Sequence, residues 1–151
     1  MPETIDSTPV SSRVAPAHIV RSDAEALRAA KALAKKVDQH AAERDAERQL
    51  PWDLLAEFSA QGLSAITVPR EYGGADVSIE TLLQTIVELA DADPAFAQIP
   101  QNHFAILERL RLYGSTAQKE FFYPRFLAGD RLGNATAEPG DKRPNEHRTS
   151  L

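Results

Sequence analysis

Five stretches of this chain repeat apolar residues at steps of three and four between residues that start or stop helices, and only one short stretch reads as a strand. The pattern predicts an all-α domain of about five to six helices. Ser22 opens the first, its hydroxyl capping the Glu25 amide while the Glu25 carboxylate reaches back in a capping box. Leu27, Ala30, Ala34, Val37 and Ala41 then share one face, with Arg28, Lys31, Lys35 and Asp38 turned to water, and the small residues predict close packing on a neighbouring helix. The charged run Glu43 to Arg48 reads as a solvated helix end.

Pro51 stands in the first turn of a second helix that carries Trp52, Leu54, Leu55 and Phe58 and stops at Gly62; Trp52 and Phe58 are expected in the core. Glu71-Tyr72-Gly73-Gly74 is a tight surface turn, because adjacent glycines favour positive backbone angles, and Tyr72 is expected to anchor it. Ser78 starts a helix whose stripe of Leu82, Leu83, Ile86, Val87 and Ala90 should be largely buried, up to Asp91 and Asp93. These two carboxylates are better read as helix-end caps than as an acid-base pair, since Asp93 precedes Pro94 at a helix start. The next helix places Phe96, Ile99, His103, Leu107 and Leu110 on one face, is expected to kink at Pro100, and ends at Gly114. Ser115 and Gln118 form a capping box for a last helix with Phe121 and Phe122, which Pro124 is expected to interrupt before Phe126 and Leu127.

Leu132 to Ala137 reads as one strand, and Glu138-Pro139-Gly140 turns it into a charged tail. A lone strand leaves its backbone groups unpaired, so the chain is expected to begin a sheet that other residues or another chain complete. The organisation read here is a mobile arm over 1–20, a helical domain over 21–130, and the start of a truncated β-domain over 131–151. Pro2, Pro9 and Pro16 among serines and threonines do not make a signal peptide, and no run of about 18 uncharged apolar residues exists to span a membrane. Acidic residues outnumber basic ones 22 to 17 and no basic stripe carries interleaved aromatics, which argues against nucleic acid as a partner. The absence of cysteine removes thiolate metal sites and fits a reducing compartment, with the cytoplasm as the expected location. His18, His40, His103 and His147 are too scattered for a metal site.

Three ordered stretches, RDAERQLPWDLLAEFSAQGL, ITVPREYGGADVSIETLLQTIVELADADPA and QKEFFYPRFLAGDRLGNATAEPG, resemble the amino-terminal helical domain of the acyl-CoA dehydrogenase superfamily running into the first strand of its middle domain. The resemblance covers about residues 22 to 140. AHIVRSDAEAL and GNATAEPGDKRPNEHRTSL further resemble the sulfur-acquisition branch, the dibenzothiophene monooxygenase-like flavoenzymes that use reduced flavin and oxygen. Acyl-CoA dehydrogenases typically continue this motif with a glycine-serine-aspartate element, whereas here Gly140 is followed by Asp141-Lys142-Arg143-Pro144, which argues against an acyl-CoA substrate.

The resemblance implies a flavin cofactor, FMN or alternatively FAD, held mainly by regions absent from this chain, so the chain is expected to be inactive alone. It also implies a small-molecule substrate, a separate flavin reductase and a homo-oligomer at full length. By the same resemblance Asn134, Ala135, Thr136, Ala137 and Glu138 approach the flavin, where narrow side chains let backbone amides donate to a planar ring. His103, the one ionisable residue on its helix's apolar stripe, matches a region that places a histidine near the flavin oxygen adduct; the competing reading is a satisfied core histidine. The functional expectation is part of a reduced-flavin monooxygenase acting on a small organosulfur compound. The alternatives are an FAD-dependent acyl-CoA dehydrogenase domain and a non-catalytic helical interaction module.

Overall fold

The structure, a computed structural model, describes residues 17–133. Among these, six α-helices follow in order: α1 (Asp23–Asp38), α2 (Ala41–Glu47), α3 (Trp52–Ala60), α4 (Ile79–Ala92), α5 (Pro94–Tyr113) and α6 (Thr116–Leu127). Single 3-10 turns occupy Leu63–Ala65 and Arg70–Tyr72. No strand occurs among the described residues: Leu132 and Gly133 are irregular, and the rest of the expected strand lies outside them.

The sequence expectation of close helix packing holds for α1. Its buried stripe is Ala26, Ala30, Leu33, Ala34 and Val37, and α1 packs along α4, which in turn packs on α5. Alanines let two backbones approach, so the helix turns its narrowest side inward and leaves Leu27 only half-buried. The two N-termini are tied at one point. The Asp23 carboxylate accepts hydrogen bonds from the Thr81 hydroxyl (2.7 Å), the Ser78 hydroxyl (2.9 Å) and the Ser78 amide (3.2 Å), which together hold its pKa below the usual carboxylate value. Ser22 caps the Glu25 amide as expected (3.3 Å), but the Glu25 carboxylate reaches one residue further back, to the Arg21 amide (2.7 Å) and His18 Nε2 (2.6 Å). Residues 17–20 lie against the bundle, with the His18 amide donating to the Ala60 carbonyl (2.8 Å) and Val20 buried.

Four expectations are corrected. The run from Glu43 is not simply a solvated helix end: it forms α2, between left-handed residues His40 and Arg48, and turns Arg44 inward. Arg44 donates to the Gln39 carbonyl (2.7 Å), the Val37 carbonyl and Asp93 Oδ2 (2.9 Å), and only 11% and 12% of the paired side chains are exposed. Trp52 is 66% exposed, because it stands on the outer side of α3's first turn, whereas Phe58 is in the core with its ring edge-on to Phe104 at 6.4 Å. The α4 stripe divides: Leu82 and Leu89 are buried with Thr81 and Thr85, but Leu83 is 58% exposed and Ile79 and Val87 also face outward.

The fourth correction concerns Pro124, which does not interrupt α6; the helix also runs unbroken through Pro100 in α5. A proline inside a helix costs about 3 kcal/mol. Tyr123 and Phe126 flank Pro124 and are both buried, and two such side chains recover about 1.5–3 kcal/mol each, which outweighs the lost helix bond.

The segment between α3 and α4 is the least regular and among the most buried, with Leu63, Ile66 and Val68 fully enclosed. It doubles back on itself through Val77 N to Ile66 O and Asp76 N to Val68 O, both 3.0 Å. Arg111 of α5 fastens it, donating to Asp76 Oδ1 (2.8 Å) and to the Thr67 carbonyl. Tyr72 anchors the turn as expected, its ring 4.7 Å from that of Tyr123. The Ser115–Gln118 capping box and the Asp93 cap are also present, Asp93 Oδ1 accepting from Ala95 N (3.0 Å) and Phe96 N (3.1 Å).

Candidate functional site

The only sequence-expected site residue within the described part is His103, in the middle of α5 and 1% exposed. Its ring lies 5.2 Å from Phe126 and 5.5 Å from Phe104, centroid to centroid. Nε2 is 2.8 Å from the Ser64 carbonyl oxygen, which only accepts, so Nε2 carries the proton and donates it. Nδ1 accepts from the Leu132 amide at 3.1 Å. Both ring nitrogens are therefore used inside this chain, and the pair of bonds selects the neutral Nε2–H tautomer. Burial pushes the His103 pKa below its ordinary value, the Ser64 bond opposes that, and the nearby Arg131 charge adds to it.

Arg131 was not singled out by sequence reasoning. Its guanidinium donates to the Leu55 carbonyl and to Ser59 Oγ (3.1 Å) on α3, and its burial lowers its pKa from the ordinary arginine value. No local signal marks it, since its partners lie 76 and 72 residues earlier. Leu132 packs its side chain against the cluster of Ala65, Val68, Leu107, Tyr123 and Phe126. The chain thus leaves α6 under tight tertiary control just before Asn134, Ala135, Thr136, Ala137 and Glu138, the candidate cofactor-binding residues, which lie outside the described residues.

A stability prediction follows from His103. The neutral ring is favoured in the folded state, so the unfolded chain binds more protons once pH falls below 6.5, the ordinary histidine value. Stability contributed by this group is present above that pH and is lost as pH falls toward the lowered folded-state value. Urea midpoints measured between pH 7 and pH 5 should fall more for the wild type than for His103→Gln; parallel curves would show that His103 does not titrate in this way.

Elsewhere the surface offers concavities without a reactive centre. An apolar groove of about 380 Å³ runs between α4 and α5, lined by Leu82, Leu83, Ile86, Ala97, Gln98 and Phe104 among others. A cavity of about 730 Å³ lies over the Arg44–Asp93 pair, with Leu50, Pro51, Phe96 and Ile99 on its walls. Among the described residues no three His, Asp or Glu side chains are grouped to hold a metal, and no helix is long and apolar enough to cross a membrane. At the chain exit the polar atoms of His103, the Ser64 carbonyl and the Leu132 amide satisfy one another.

Among the described residues, six helices pack with one buried return loop, and the chain leaves them through a fastened exit at residues 131–133. The model of the acyl-CoA dehydrogenase N-terminal domain matches residues 22–130, and the chain belongs to that family. It is 33% identical over 101 residues to a 3-sulfinopropanoyl-CoA desulfinase of Paraburkholderia xenovorans, covering 66% of this chain and 26% of that protein. It is 30% identical over 118 residues to a dibenzothiophene monooxygenase of Rhodococcus erythropolis, covering 78% and 28%. An acyl-CoA dehydrogenase of Bacillus subtilis is 31% identical over 93 residues, covering 60% and 24%. The matched stretch is about a quarter of the length of each of these relatives. No solved structure matches the chain.

Proposed function

We propose that this chain is the amino-terminal helical part of a reduced-flavin monooxygenase that acts on a small organosulfur compound. The observation that carries the reading is the extent of the match to dibenzothiophene monooxygenase, 78% of the chain against 66% and 60% for the desulfinase and dehydrogenase relatives. The Asp141-Lys142-Arg143-Pro144 continuation, in place of a glycine-serine-aspartate element, supports it. In this reading the α4–α5 groove is part of the substrate wall: it is apolar, as a site for an aromatic or aliphatic sulfur compound has to be, with Gln98 and Gln101 as its polar points. Residues 134–138 lie along the flavin, FMN or FAD, which supplies the redox chemistry when bound. A proton-handling role for His103 requires the ring to release Ser64 or Leu132 first.

The second reading, an FAD-dependent acyl-CoA oxidoreductase, is favoured by the names of the desulfinase and dehydrogenase relatives. The protein carrying this domain, assayed intact, separates them. Turnover with reduced FMN and oxygen, and none with an acyl-CoA plus an electron acceptor, is the expected result; the reverse pattern overturns the monooxygenase reading. For the 151-residue chain alone, titration with FMN and with FAD is expected to show no tight binding, and micromolar binding would mean that the flavin site is complete without the rest of its relatives' architecture.

A further inference from the structure

We infer that His103 and Arg131 form a two-point clamp that fixes where the chain leaves the helical core, which makes His103 a positioning residue acting through the Leu132 amide. Residues 131–133 have no regular secondary structure, so nothing local sets their direction. They are nonetheless held at successive positions by different elements. Arg131 reaches down to α3 through Leu55 and Ser59, and Leu132 is held from α5 through His103. His103 is itself locked by the Ser64 carbonyl in the turn after α3, so both holds end on the same part of the bundle.

The chemistry suits a clamp. A backbone amide needs an acceptor when it is removed from water, and a buried unpaired donor costs more than an ordinary hydrogen bond gains. A neutral imidazole is an acceptor at one nitrogen and a donor at the other, 2.8 Å from a carbonyl and 3.1 Å from an amide, and it can join two backbone segments that no ladder joins. Among the described residues, the groups facing the ring are the Phe104 and Phe126 rings, the Ser64 carbonyl, the Leu132 amide and the Arg131 charge, with no carboxylate to stabilise an imidazolium. A protonated ring would turn an N–H toward the Leu132 N–H and open the clamp. That the segment beyond it meets a flavin rests on the proposed function, whereas the clamp itself does not.

The test is amide hydrogen exchange on the 151-residue chain, read as protection factors for Leu132 and Gly133 against amides of α1 and α4. His103→Phe fills the space without an acceptor, and Arg131→Gln removes the second hold while leaving the core untouched. Each is expected to lower Leu132 protection about ten-fold, the factor that corresponds to one ordinary hydrogen bond, and to leave α1 and α4 protected. In the wild type, protection at Leu132 should also fall as pH drops below 6.5, and His103→Gln, which keeps an acceptor but cannot protonate, should abolish that dependence. Unchanged Leu132 protection in both His103→Phe and Arg131→Gln overturns the clamp. A lowered protection factor with unaltered flavin affinity in the intact protein upholds the clamp and counts against the flavin contact of residues 134–138.

Discussion

Asp93→Ala is expected to reduce the unfolding free energy of the domain by about 3–5 kcal/mol, the cost of leaving one partner of a buried ion pair alone. The carboxylate does two jobs with two oxygens. Oδ1 caps α5 at the amides of Ala95 and Phe96, and Oδ2 meets the Arg44 guanidinium that is also bound to the carbonyls of Val37 and Gln39. Removing it strands a cation that is 11% exposed and frees a helix start. Small domains are stable by about 5–15 kcal/mol, so this change takes a large part of the total. Asp93→Asn keeps an acceptor for the cap and should cost less. Arg44→Met with Asp93→Asn should recover stability relative to Asp93→Ala, since no charge is then left buried. Urea denaturation followed by circular dichroism reads all three; a loss below about 1 kcal/mol for Asp93→Ala, the range of exposed pairs, would show that the pair is effectively in water.

Gly74→Ala should cost about 2–4 kcal/mol by a steric route, the sum of an overpacked contact and a disturbed backbone hydrogen bond. A Cβ at residue 74 would stand 2.0 Å from the Val68 carbonyl oxygen and 2.6 Å from its carbon. These are rigid backbone atoms, and the same oxygen accepts from Asp76 N. The return loop would have to open, loosening Val68 and, through Asp76, the Arg111 anchor. Gly73→Ala is the informative control: its neighbour is a Leu127 methyl at 3.6 Å, so its penalty comes from the positive φ of 91° rather than from crowding. A Gly74→Ala protein with wild-type thermal stability would contradict the tight approach of residues 68 and 74.

The pair Gly73-Gly74 shows how far local reasoning extends. Two glycines in a row predict a turn with positive φ, and that is right for Gly73. Gly74 does not need the conformation; it needs the absence of a side chain, because the backbone of Val68, six residues earlier, passes against it. Actually adjacent segments, residues 66–68 and 74–77, meet only once the loop has closed. The α4 stripe failed for a related reason. Periodicity says which residues share a side of a helix, but Leu82 and Leu89 are enclosed while Leu83 and Val87 are exposed, and only the arrangement of neighbours decides that.

The candidate site divides along the same line. His103 was legible as an ionisable residue on an apolar face, and the family was legible in ordered motifs that the match over residues 22–130 bears out. Ser64 and Arg131 were not legible, because the contacts that make them matter join residues 39 and 72 or more positions apart. The residues expected to meet flavin, Asn134 to Glu138, fall outside the described residues.

Capping boxes, first-turn prolines and three-four spacing act within a turn or two of helix, where the chain's own geometry decides which groups meet, and so the sequence by itself determined five of the six helices, their starts and the family. Burial, the inward turn of Arg44, the exposure of Trp52 and the tautomer of His103 depend on atoms brought together from distant positions, where packing energy outweighs local preference. Those were decided only by the tertiary structure.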